Sequence, residues 1–157
     1  MVREHRALER LGGELRLAAV RRDPSTARMR SIELARQFPD IVRRAHSELG
    51  QFLDERPESP AAEVLQAQVR TGRDLTAAIV SLATSWGSAV TISSDLDGFR
   101  AEVEHLVVKL ALWIHGEERK LFPLVDALCG VGSFREAMPD EPTTRINRAD
   151  LLRAGIR

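Results

Sequence analysis

The stretch from Asp95 to Leu128 reads DLDGFRAEVEHLVVKLALWIHGEERKLFPLVDAL, and its periodicity decides the fold class. Phe99, Val103, Leu106, Leu110, Trp113, Leu121, Leu124 and Leu128 recur at intervals of three, four or eight residues. That spacing puts them on one face of an amphipathic helix. Asp95 supplies a cap for its first turn and Gly130 a stop. Working back from Asp95, Gly87 to Ser94 reads as a polar, glycine-containing loop. A helix from Pro60 to about Trp86 precedes it, with Ser59 as N-cap and Pro60 at the first helical position. The break Pro57-Glu58-Ser59-Pro60 separates it from a helix that ends near Arg56. Pro39 lies inside that helix and is expected to kink or restart it. Asp23-Pro24-Ser25-Thr26 is a turn and helix start, with Asp23 or Ser25 as the cap. The first helix runs from about Val2 to Arg22.

No alternating strand pattern appears. Four amphipathic helices joined by short connections pack most economically as an all-α, antiparallel, up-and-down four-helix bundle, here residues 1–130. Residues 131–157 carry Pro139, Pro142 and Thr143-Thr144 and read as a partly extended tail. Asp150 to Ala154 form a short helical turn in that reading, with Leu151 and Leu152 docking on the body.

Composition narrows the function. Lys+Arg and Asp+Glu both number 23 in 157 residues, so no global basic field points to nucleic acid. The pairs Arg21-Arg22 and Arg43-Arg44 are too short for such a footprint. No apolar run is long enough for a membrane span, and Met1 to Arg6 lacks the apolar core of a signal peptide. A cytoplasmic protein is the expectation. The one cysteine, Cys129, excludes an internal disulfide and a cysteine-built zinc site. Its place near a helix C-terminus disfavours the thiolate.

The candidates for chemistry are histidines and carboxylates. Bundle cores build metal sites from inward-facing Glu and His, with two ligands of one helix at i,i+3 or i,i+4. His5 has Glu9 four residues on, and the i,i+3 pairs are Glu102 with His105 and His115 with Glu118. Helical angle then discriminates. Glu117 falls within roughly 20° of the centre of the last helix's apolar face, and His105 and His115 roughly 140° away. That helix should therefore bury a glutamate and expose its histidines. A carboxylate in a helix seam costs several kcal/mol unless paired, protonated or bound to metal. Arg44 is a candidate partner. On the second helix Phe38, Ile41, Ala45, Leu49 and Phe52 mark the face, with His46 and Glu48 at its edges. Solvated positions are the default for His46, His105 and His115. His5 lies roughly 50° from the centre of its helix's stripe, and Glu9 roughly 90° away, a solvated position within i,i+4 pairing reach of His5 along the helix surface.

Two stretches resemble the hemerythrin-like, HHE cation-binding family. Glu117-Glu118-Arg119-Lys120-Leu121-Phe122-Pro123 matches the closing Glu-Glu-x-x-Leu-Phe-Pro signature of that family. Arg3-Glu4-His5-Arg6-Ala7-Leu8 matches its opening histidine-containing turn. A short internal repeat, Ala45-His46-Ser47-Glu48 against Ile114-His115-Gly116-Glu117, fits two similar halves. The resemblance implies a four-helix bundle holding a non-haem iron centre, often diiron, that binds or senses iron, dioxygen, nitric oxide or redox state. Carried over by position, it marks His5, Glu48 and Glu117 as metal ligands, with His46, His115 and Glu118 as weaker candidates. Three positions where the family has histidine hold Arg44, Gly72 and Trp113 instead. His46 and His115 stand two residues before the glutamates, about 200° around a regular helix, and replace the lost ligands only through a local distortion such as a π-bulge.

Two functions follow. One is a hemerythrin-like protein with a surviving iron site. The other is a metal-free descendant that works as a protein-interaction or regulatory module, with Trp113 packed where a metal would sit. An enzyme has little support, since no nucleophile with a neighbouring base and no glycine-rich phosphate loop is visible.

Overall fold

The computed structural model describes residues 2–54 and 57–129, and nothing but helix and short turns occurs among them. The elements are α1 (Val2–Val20), α2 (Pro24–Asp54), α3 (Pro60–Ser85), α4 (Ala89–Ser94) and α5 (Leu96–Gly116). A π-helical turn (Glu117–Leu121) then leads into α6 (Phe122–Cys129). The tail of residues 131–157, with the helical turn expected at Asp150–Ala154, lies outside the described residues. None of the described helices is long and apolar enough to cross a membrane.

The caps explain where the helices start and stop. Arg22 adopts φ 56°, the left-handed conformation that closes α1. Asp23 N–H donates to the Ala18 carbonyl at 3.0 Å and Arg22 N–H to the Ala19 carbonyl at 3.3 Å, the paired bonds of a Schellman motif. Asp23 then begins α2: its Oδ1 accepts from Thr26 N–H at 3.0 Å, ahead of Pro24 at the first helical position. The side-chain and backbone hydrogen bonds from Thr26 hold the Asp23 carboxyl below its ordinary value. Ser59 caps α3 by accepting from Ala62 N–H at 3.2 Å, and Asp95 caps α5 by accepting from Gly98 N–H at 2.9 Å.

Two expectations change. Pro39 does not restart α2, which runs unbroken from Pro24 to Asp54. Phe38, Leu34, Ile41 and Ala45 are buried on both sides of the proline. Truncating a buried Phe or Leu costs about 2–5 kcal/mol, so this packing outweighs the single hydrogen bond the proline removes. The segment expected as a loop contains α4. Ser88 Oγ accepts from Thr91 N–H at 3.0 Å to start it, and Ile92 is fully buried.

The four long helices close a ring of contacts: α1 packs on α2 and α5, and α3 also packs on α2 and α5. The main core is built on Leu8, Leu15, Phe38, Ile79, Phe99, Leu110 and Trp113. A second cluster gathers Leu49, Ala61, Leu65, Leu121, Phe122 and Val125. The polar side chains of interest sit between the two.

Candidate functional site

His5 is carried by the first turn of α1 and is wholly buried. Phe122 of the second cluster stacks on its ring, centroids 5.7 Å apart and planes 4° apart, while Trp113 of the main core meets it edge-on at 5.7 Å. Two carboxylates bracket the ring. Nε2 is 3.0 Å from Glu117 Oε2, and Nδ1 is 3.1 Å from Glu118 Oε1. Carboxylates accept and do not donate, so both contacts are hydrogen bonds only when both ring nitrogens carry a proton. In that protonation state His5 stands between the two glutamates as an imidazolium.

Glu117 is fully buried. Its second oxygen, Oε1, lies 3.2 Å from His46 Nε2, so each carboxylate oxygen meets one imidazole. Burial pushes the Glu117 carboxyl up. Hydrogen bonds from His46 and His5, together with the positive charge of the two rings, outweigh it and hold the carboxyl below its ordinary value.

The π-helical turn explains how Glu117 and Glu118 both reach the first helix. Phe122 N–H donates to the Glu117 carbonyl, the wide bond that defines the turn. Adjacent residues of a helix point about 100° apart. Here one carboxylate lies under the His5 ring edge and the next reaches the ring from the rim, where Arg6 pairs with it at 3.4 Å. Gly116 precedes the turn, and the Gln68 side chain of α3 lies over it: a Cβ there would lie 2.0 Å from Gln68 Nε2.

Trp113 fills the space beside the cluster. Its ring meets Phe38 at 5.1 Å and His46 at 6.3 Å, both edge-on, and Nε1–H donates to the Gln68 carbonyl at 3.4 Å. Gly72 of α3 faces the indole. A Cβ at that position would stand 3.1 Å from Trp113 Nε1, 3.1 Å from Val42 and 3.2 Å from His46. Gly72 and Trp113 are therefore complementary: the indole occupies the room that a side chain at residue 72 would need.

Of the ligand positions the resemblance marks, the structure brings His5 and Glu117 together and adds His46 and Glu118. Glu48 belongs to α2, but its side chain lies outside the description. His115 is exposed and takes no part. Arg44 does not reach Glu117; it is exposed and pairs with Glu4 at 2.7 Å. Glu9 pairs with Arg6 at 2.6 Å rather than with His5. The expectation for His46 is corrected: only 10% of its side chain is exposed. The buried face of α2 includes Val42 as well as Ile41, Ala45 and Leu49, which widens the seam toward His46 one turn on. The sequence signal was Val42 itself, an apolar residue four positions before the histidine.

Among the described residues, no group of three or more His, Cys, Asp or Glu side chains is disposed to hold a metal ion. The donor set agrees with that geometry. Arg44 turns away, Gly72 has no side chain to offer, Trp113 presents an indole, and both oxygens of Glu117 are engaged by imidazoles. These described side chains do not make the donor set of a diiron centre. They make a closed hydrogen-bonded cluster that joins α1, α2 and the π-helical turn. Comparison with protein-family models, with curated proteins and with solved structures finds no match to this chain.

Proposed function

We propose that the chain is a hemerythrin-like antiparallel four-helix bundle in which the His5–Glu117–His46 cluster stands in place of a metal centre. In this reading it acts in the cytoplasm as a metal-free protein-interaction or regulatory module, with no role in nucleic-acid binding. The antiparallel arrangement is supported by paired ends: His5 meets Glu117 at one end of α1 and α5, while Arg22 lies 3.6 Å from Asp97 at the other. The observation that carries the metal-free reading is the double engagement of Glu117 beside a buried indole. A buried carboxylate needs compensation, and hydrogen bonds from imidazole rings supply it without a metal ion.

The test is elemental analysis of untagged protein after anaerobic loading with ferrous iron, alongside melting with and without chelator. The reading predicts no stoichiometric iron, no oxo-bridged absorption band and an unchanged Tm. Stoichiometric iron, or strong destabilisation by chelator, overturns it. A second reading, an iron site that binds or senses dioxygen, nitric oxide or redox state, is favoured by one observation. Two imidazole nitrogens from different helices converge on one buried carboxylate. The same loading experiment separates the two.

A further inference from the structure

The outward side of α5 is unusually apolar for a helix of so charged a chain. Val108 is 56% exposed and Leu112 65%, and Ala101, Ala111 and His105 are exposed too. At about 100° per residue, Ala101, His105, Val108 and Leu112 fall within about 60° of one another. They lie opposite the buried line of Phe99, Val103, Leu106 and Leu110. Alongside runs a groove of about 440 Å³ between α3 and α5, with Ala78, Ser81, Ala101, His105 and Leu106 among its walls. A contiguous apolar stripe beside a groove is the surface a partner helix fits.

The charges around the stripe indicate which partner. The first half of α5 carries exposed or half-exposed Asp97, Glu102 and Glu104, with Arg100 as the one cation. Lys109 lies beside the stripe and lines the groove, and beyond the stripe come Arg119 and Lys120 of the π-helical turn; all three are exposed, and none forms an ion pair with another described residue. The acidic residues are only partly satisfied within the chain. Glu104 accepts from Arg16 at 2.9 Å and Glu102 from Trp86 Nε1–H at 3.0 Å, while Asp97 lies 3.6 Å from Arg22. α5 and the π-helical turn that continues it thus present an acidic start, an apolar centre and a basic end at Arg119 and Lys120, a self-complementary surface.

We propose that α5 is the interface of a symmetric homodimer in which a second copy lays its α5 antiparallel across the first, with the two-fold axis near Val108. Antiparallel order sets the acidic start of α5 in each copy against the Arg119–Lys120 end of the other; parallel order would set like against like. With the axis near Val108, Asp97 of one copy lies opposite Arg119 of the second. Leu112 of each copy comes over the mouth of the other's groove, near Ala101 and His105. The inference stands independently of whether the buried cluster holds a metal.

The test is sedimentation equilibrium of the full chain from low micromolar to several hundred micromolar, at low and high salt. The expected result is a reversible dimer of two 17.5 kDa chains, weakened several-fold by high salt. Leu112→Glu should weaken association at least tenfold, and Val108→Lys likewise, each with unchanged helical circular dichroism because both side chains are exposed. Asp97→Arg and Arg119→Glu should each weaken the dimer, and the double variant should recover most of the loss. A chain that stays monomeric throughout the range overturns the proposal. So does a dimer indifferent to both apolar variants. A dimer in which the charge exchange brings no recovery overturns the antiparallel order.

Discussion

Replacing Glu117 by Gln keeps the shape of the side chain and removes its charge. In the native cluster each Glu117 oxygen accepts from one imidazole, at 3.0 Å from His5 and 3.2 Å from His46. Gln offers one acceptor oxygen and one NH2 group, so one of the two rings meets a donor instead. His5 is left with its second carboxylate, Glu118, at the half-exposed rim. Removing one member of a buried ion pair costs about 3–5 kcal/mol, because the other charge stays buried and uncompensated. For a chain of this size that is a fall in Tm on the order of 10 °C. Urea unfolding at pH 7 measures the loss, and acid titration supplies a second signature. The folded carboxyl titrates below its ordinary value of 4.5. Its contribution is therefore complete above that value and disappears as pH falls through the folded pKa. Wild-type protein should lose stability more steeply than Glu117→Gln below about pH 4, and the two curves should converge. A loss under about 1 kcal/mol at pH 7, or parallel acid limbs, refutes the argument that this buried carboxylate is held between His5 and His46.

Other substitutions test the surroundings of the cluster. Arg22→Gly should stabilise the chain by about 1 kcal/mol in urea melts, because glycine adopts the left-handed conformation without the Cβ penalty. Gly72→His should destabilise by about 1–3 kcal/mol and bind no added ferrous iron, since Trp113, Val42 and His46 crowd that position. Gly116→Ala should be destabilising through its clash with Gln68, and Gln68→Ala should relieve part of the cost, a coupling that a double-mutant cycle reads directly.

The burial of Glu117 follows from sequence because a long, regularly spaced apolar face fixes an angle for every residue between its markers. The caps at Asp23, Ser59 and Asp95 follow for a similar reason: each is a short polar side chain directly before a helical pattern, and its bond is local. His46 does not follow, because a residue at the edge of a stripe is turned in or out by its neighbours on other helices. Its imidazole is drawn inward by the one acceptor oxygen that Glu117 leaves open. The π-helical turn has no residue signature of its own. It lies where the Gln68 side chain covers Gly116 and where two successive glutamates both find a partner in His5. Segment Ala89–Ser94 was hidden because six residues hold too little periodicity, and only the burial of Ile92 gives it a face.

The account turns on a carboxylate held by two protonated imidazole nitrogens rather than by a metal. Long-range proton–nitrogen NMR of the histidine rings, before and after one equivalent of ferrous iron under anaerobic conditions, reads this most directly. The account predicts that His5 shows protons on both ring nitrogens, that His46 shows a protonated Nε2, and that iron leaves both unchanged. Selective loss or shift of the His5 and His46 signals on adding iron, with those of His105 and His115 unaffected, would contradict it.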